Sequence, residues 1–282
     1  MESAEVIQDP CVKMDVTQPI NPPKVPYLHL DQGQGGLYTF PHDAKASTTT
    51  NASKLHWIGT SDCYTCVCVY IPLGVDGDNY NQCFVAHIDG HMGPPTDIMD
   101  WIPQTPEEGA ALKVYVKERL ANELPLPANG QYTDNLRRKQ AIIVCPRPKI
   151  HIHGNGERRT TGGFIVEAIR EFFSFEEKGD RGTHFAHGFV VNPRTNEKEI
   201  LTWKNPNVQE DDLHHWDKIA HEKILAGGSR EEAKQHSKLW ATKSPEEHGY
   251  ESCSIEQKPW TWTLQYDRVK QSWGAYVKDS TV

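Results

Sequence analysis

Cys66 and His87 are the residues whose types and spacing point most directly to chemistry. A cysteine that opens a strand just after a polar turn presents its thiol at the end of a sheet, beside backbone N–H groups able to stabilise a thiolate and later an oxyanion. Cys66 holds that position, because the turn Gly59-Thr60-Ser61-Asp62 comes just before the run Cys66-Val67-Cys68-Val69-Tyr70-Ile71. His87 follows 21 residues later, near the end of the returning run Cys83-Phe84-Val85-Ala86-His87-Ile88. Paired as a hairpin, the two runs would set the imidazole beside the thiol and lower its pKa from the usual value of about 8.5, giving at neutral pH the nucleophile that amide cleavage requires. The same residues also fit a buried core cysteine and a satisfied core histidine, since seven cysteines and 14 histidines create many such pairings.

The elements that must position this pair are legible in outline. Residues 1–26 are polar and proline-bearing without periodicity, which predicts an arm that is disordered or lies along the surface, followed by one domain over 27–282. Gly35–Phe40 reads as a short strand. The two cysteine-bearing runs read as a hairpin with an oversized Gly/Asp/Asn-rich loop at 74–82. Residues 106–124 place Ala110, Ala111, Val114, Tyr115 and Leu120 on one helical face, with Pro106 at the start and Pro125 just beyond the end. Ala141–Cys145 and Lys149–His153 read as one buried strand bent by Pro146 and Pro148. Thr161 is expected to cap a helix running to Phe175. Phe185–Val191 and Glu199–Trp203 form a second hairpin, residues 209–241 read as charged and mostly helical, and Trp260–Tyr266 with Trp273–Val277 alternate as strands. Strands outnumber helices, so a sheet-based α/β or α+β domain is predicted.

The motifs around Cys66 and His87 go further. Gly59-Thr60-Ser61-Asp62-Cys63-Tyr64-Thr65-Cys66, then Val85-Ala86-His87-Ile88-Asp89-Gly90, resembles the paired active-site signature of protein N-terminal asparagine amidohydrolases, a Gly-Ser-x-Asp-x-x-Thr-Cys turn followed by an x-His-x-Asp-Gly strand end. Downstream, Lys149–Gly156, Gly188–Asn192 with Thr195 and Glu197, and Pro259–Trp262 are similar to later elements of that family in the same order. A more distant similarity connects the chain to bacterial chemoreceptor glutamine deamidases and cytotoxic necrotizing toxins, which use Cys and His on a layered β-sandwich with helices outside. In the chemoreceptor enzymes a Thr six residues before the Cys completes the site, and Thr60 stands at that spacing.

This resemblance implies an α+β fold with a central β-sandwich flanked by helices, Cys66 as nucleophile, His87 as general base and acid, and Thr60 as the group that orients His87. It implies hydrolysis of the side-chain amide of an N-terminal asparagine through a thioester, with no metal and no cofactor. A free substrate α-ammonium needs a carboxylate, and Asp62 and Asp89 are the acids nearest the two motifs; both also suit a turn-capping role. Thr60 stands where the family has Ser, Cys63 and Tyr64 replace smaller residues, the loop at 74–82 is longer, and 92–135 is an extended proline-rich segment. The partner is thus a peptide, a protein N-terminus or a small amide. The alternatives are an amidase or acyl-transfer enzyme on a small amide metabolite, and a non-catalytic binding protein of the same fold.

Composition narrows the remaining classes. The mean hydropathy of -0.65 and the lack of an apolar run near 18–20 residues predict no membrane span. The net charge of -8 argues against nucleic acid as a partner, and the basic stretch Arg137–Arg147 with Arg158 and Arg159 lacks interleaved aromatics. An acidic N-terminus without an apolar h-region predicts a cytosolic or nuclear protein with reduced cysteines, so the Asn51 sequon is discounted. Cys63-x-x-Cys66-x-Cys68 is half of a zinc or redox motif, with no second Cys-x-x-Cys to complete four ligands. His151 and His153 read as structural, and His214, His215 and His221 as a solvated helix face.

Overall fold

A computed structural model describes residues 23–43, 54–76, 79–93, 100–124, 139–152, 156–175, 183–209, 226, 241–253 and 261–276. In chain order the first strands are β1 (Val25–His29), β2 (Gly35–Thr39), β3 (His42–Asp43), β4 (Lys54–Leu55), β5 (Trp57–Thr60), β6 (Val67–Asp76) and β7 (Asn79–His91). After helix α1 (Pro106–Glu123) come β8 (Ile142–Val144), β9 (Lys149–Ile152) and β10 (Gly156–Arg159), then helix α2 (Thr161–Phe172). The remaining strands are β11 (Thr183–His184), β12 (Gly188–Val191), β13 (Lys198–Leu201), β14 (Tyr250–Cys253), β15 (Thr263–Asp267) and β16 (Ser272–Ala275). Among the described residues sheets dominate and helices are few, consistent with the sheet-based α/β or α+β domain predicted from the sequence.

Two mixed sheets carry the architecture. One has the order β13-β12-β5-β1-β14, the other β11-β8-β6-β7-β15-β16, with β2 also pairing β7. Alternation along β6 and β7 sends their residues to opposite faces. Cys68, Tyr70, Cys83 and Val85 pack with Leu28, Ile58, Phe189 and Val191 of the five-stranded sheet. Val67, Val69, Ile71, Phe84, Ala86 and Ile88 pack on the other face against Leu112, Val116 and Leu120 of α1 and Ile165 and Ile169 of α2. The order of layers is therefore small sheet, large sheet, helices. No helix among the described residues is long and apolar enough to cross a membrane.

Several local expectations are corrected. The hairpin loop is not oversized: β6 runs to Asp76 and β7 resumes at Asn79, with register shifts after Pro72 and Gly74 absorbing the extra residues as bulges. Gly59 and Thr60 belong to β5 rather than to the turn. Pro146 and Pro148 do not bend one strand but separate two, since β8 joins the large sheet while β9 pairs only β10. β1 begins at Val25, two residues inside the stretch read as an arm, and lies between β5 and β14; residues 1–22 lie outside the described residues, as do 210–225, 227–240 and Trp260 of the other expected elements.

Both helices start where capping chemistry dictates. Thr105 and Glu108 form a capping box ahead of Pro106 in α1. Its buried stripe is Gly109, Leu112, Val116 and Leu120, rotated from the expected face, and Val114 is half exposed. Thr160, not Thr161, caps α2 by accepting from the Gly163 N–H at 3.1 Å, and the helix ends at Phe172. Thr161 instead donates to the Gly90 carbonyl at 3.0 Å, tying α2 to the end of β7.

Candidate active site

The β6/β7 register sets the site. Cys68 lies opposite His87 and Val67 opposite Ile88, so Cys66, one residue before β6, falls beside Asp89. Its thiol donates to Asp89 Oδ1 at 3.3 Å. Cys66, His87 and Asp89 share the face between the two sheets, with 4%, 1% and 3% of their surfaces exposed. Cys66 and His87 are thus diagonal rather than direct neighbours, and no Cys66–His87 hydrogen bond is present at rest.

The turn that delivers Cys66 is fastened from the five-stranded sheet. Asp62 takes a left-handed conformation, φ 62°, which aspartate tolerates better than most residues. Its N–H donates to His187 Nδ1 at 3.3 Å, and the Cys63 N–H donates to the His187 carbonyl at 2.8 Å. Cys63 Sγ closes the turn by donating to the Cys66 carbonyl at 2.9 Å. The six described cysteines are free thiols.

Thr60 fixes the state of His87. Its hydroxyl lies 2.8 Å from the Leu30 carbonyl and 2.8 Å from His87 Nδ1. The carbonyl can only accept, so the single hydroxyl proton goes there and His87 Nδ1–H must donate to the Thr60 oxygen. His87 Nε2 is left with a bare lone pair, buried and without a hydrogen-bond partner among the described residues. Burial also pushes the imidazole pKa down to about 4, outweighing the nearby Asp89 charge, so the ring is neutral near pH 7.

Asp89 is fully engaged. Oδ1 accepts from Cys66, while Oδ2 accepts from Gln32 Nε2 at 2.6 Å and from His91 Nε2. His91 Nδ1 faces Asp100 Oδ2 at 3.1 Å. With a carboxylate on each nitrogen both must carry protons, and although burial opposes it, the hydrogen bonds to Asp100 and Asp89 push the His91 pKa up to about 10. His91 and Gln32 in turn hold Asp89 below its ordinary value despite its burial. The Cys66 thiol goes the opposite way: burial first, then the Asp89 charge, raise its pKa well above the ordinary value. Cys66 therefore rests as a neutral thiol, not as half of an ion pair.

A cavity of about 540 Å³ opens over this cluster, lined among others by His87, Asp89, His91, Asp62, Asp31 and Thr263. Cys66 and Thr60 are not part of its lining; they meet it through Asp89 and His87. Of the two carboxylates expected to hold an ammonium, Asp89 already has both oxygens occupied. Among the described residues Asp62 accepts from Ser61 at 3.2 Å and from Thr242 at 3.3 Å, and it is exposed. Asp31, which sequence reasoning did not single out, adds a third carboxylate and is 60% exposed.

His91, Asp100, Gln32 and His187 were also missed. The first had a signal, since His87, Asp89 and His91 alternate on one strand and so share a face. One further grouping crosses the expected roles: a ligand atom from each of Cys63, Cys68 and His87 lies within 4.8 Å of the others. The remaining candidates are used structurally or lie elsewhere. Arg147 sits over the Trp101 ring, Arg158 donates to the Pro103 and Gln104 carbonyls, and Trp262 packs edge-on to Phe84 in the core. His151 is in the β9/β10 hairpin, and His153, His214, His215 and His221 lie outside the described residues.

Compared with models of known protein families and with curated proteins, the chain matches none.

Proposed function

We propose that the chain is a cysteine amidohydrolase that converts the side-chain amide of an N-terminal asparagine in peptides or proteins to a carboxylate, on a β-sandwich of the Cys/His deamidase type. The observation that carries this reading is the Thr60–His87 hydrogen bond. It commits Nδ1 as donor and leaves a bare Nε2, without a partner among the described residues, on a histidine that lines the cavity and shares a strand face with Cys66. A general base needs that state near pH 7.

In this mechanism the amide enters beside Asp89 and Cys66 leaves its resting hydrogen bond. The thiol proton passes to His87 Nε2 as sulfur attacks the amide carbon, and the Cys66 backbone N–H stabilises the oxyanion. The protonated His87 then gives its proton to the departing nitrogen, releasing ammonia and leaving a thioester. Water, deprotonated by His87, cleaves the thioester to the carboxylate and restores the thiol. Asp62, with Asp31 beside the same cavity, receives the substrate α-ammonium.

Ammonia release from Asn-initiated peptides tests this, with Gln-initiated peptides, internal-Asn peptides and free asparagine as controls. Turnover confined to N-terminal Asn and lost in Cys66→Ala is expected; no ammonia from any substrate overturns the reading. A second reading, a non-catalytic binding protein of this fold, draws support from the burial of Cys66 and its neutral resting thiol. The same assay separates the two.

A further inference from the structure

We propose that Cys63, Cys68 and His87 form a site for a thiophilic divalent cation, zinc as the reference ion, enclosed between the two sheets. The three come from separate elements, the turn before β6, β6 itself and β7. Yet the two sulfurs and a ring nitrogen of the histidine converge within 4.8 Å of one another. A tetrahedral zinc ion with bonds of about 2.0–2.3 Å sets its ligands roughly 3.5–3.8 Å apart, so a contraction of about 1 Å completes the set.

Electrostatics favours this trio over a lone thiolate. Cys63 and Cys68 are fully buried and His87 almost so, and burial raises both thiol pKa values. Binding releases one proton from each thiol, so a dication and two thiolates leave the interior with no added net charge. The metal must displace those protons, and the Cys63 S–H is aimed at the carbonyls of Cys66 and Val144, at 2.9 and 3.8 Å. Thr60 occupies one nitrogen of His87 and leaves the other without a partner among the described residues. Cys66 stands apart from the trio, turned toward Asp89. Three protein ligands leave the fourth position of a tetrahedral ion to a small exogenous ligand. A metal here takes His87 out of proton transfer, so it inhibits amide hydrolysis; that consequence, unlike the binding, rests on the amidohydrolase reading.

Cobalt(II) titrated into the reduced full-length protein is the test. A sulfur-to-cobalt charge-transfer band that saturates at a single equivalent and is displaced by zinc is expected. Cys63→Ser and Cys68→Ser should each lower its intensity by about half and weaken binding about tenfold or more, while Cys66→Ala binds as the parent does. X-ray absorption on the zinc-loaded parent protein needs no variant to fold and should report two sulfur ligands and at least one nitrogen. A reduced parent protein without the band in excess cobalt overturns the site, as does a band lost in Cys66→Ala and kept in the other two variants. Cobalt binding without ammonia release from any peptide sinks the amidohydrolase reading and leaves the metal site standing; ammonia release without the band does the reverse. Where both occur, an equivalent of zinc should suppress turnover and a chelator restore it, and undiminished turnover in the zinc-loaded protein overturns the inhibition.

Discussion

The Cys66 thiol donates to Asp89 Oδ1 at 3.3 Å, and His87 sits two residues before Asp89 on the same strand, opposite Cys68. The carboxylate thus stands where a hairpin reading of the sequence put the imidazole. Burial, and after it this carboxylate, keep the sulfur protonated, while His91 and Gln32 keep the carboxylate charged. The resting site is therefore a neutral thiol and a neutral imidazole with an ion pair of the buried Asp89 and the partly buried His91 beside them.

Replacing Asp89 with Asn removes the charge that opposes the Cys66 thiolate and keeps the side-chain shape. Alkylation of Cys66 by iodoacetamide at pH 7, followed by peptide mass mapping, should speed up by about tenfold, the effect of one pKa unit. A rate equal to that of the parent protein means that burial alone governs the thiol.

Thr60→Val deletes the oxygen that receives His87 Nδ1–H and leaves the Leu30 carbonyl without its donor. Turnover in the ammonia assay should fall by about 10²-fold in kcat, the low end of what a positioned acid–base group supplies, with KM little changed. Thr60→Ser restores the hydroxyl and should recover most of it. Equal losses in both variants would assign Thr60 to packing.

The His91 pKa of about 10 in the folded chain lies above the usual 6.5. Below about pH 6.5 both folded and unfolded chains hold the proton, and the contribution to stability is complete. Between 6.5 and 10 only the folded chain keeps it, so stability declines as pH rises and this contribution is gone above 10. Melting curves at pH 6, 8 and 10 should show Tm falling across that window, and His91→Gln should flatten the trend and lower Tm most at pH 6.

Gly59 sits in β5 with no room for a side chain. A Cβ there would lie 2.3 Å from the Phe189 carbonyl oxygen and 2.9 Å from Val190 Cα, both backbone atoms of β12. Gly59→Ala should cost about 1–3 kcal/mol in denaturant unfolding and, by shifting Thr60, reduce turnover more than a comparable core substitution such as Leu112→Ala. Wild-type stability would show that β12 can move aside.

The sequence reading located the strands that carry the site because their patterns are local. The apolar runs around Cys68 and Val85, the prolines bracketing α1 and the alternation ending in His87 each need only a short window. What it missed depends on pairings between distant segments. Hairpin pairing put His87 beside Cys66, but the register that sets Asp89 there is fixed by β2, β8 and β15 as well as by the hairpin. Gln32, Asp100 and His187 reach the site from turns and bends outside the strands, and no periodic pattern announces them. The stripe on α1 was rotated because packing on Ile165 and Ile169 of α2, not the helix's own periodicity, chose its face.

β7 carries His87, Asp89 and His91 while pairing with β2, β6 and β15. β6 pairs this strand as far as Ile88 and β15 takes over at Asp89 to His91, so these three side chains sit on the strand with the most pairing partners among the described residues. Diversification toward new substrates has little freedom there without endangering the whole sheet. Variation in what the protein accepts must instead accumulate in the segments around Asp31, Asp62 and Thr263, where a substitution reshapes the entrance and leaves the reacting groups in register.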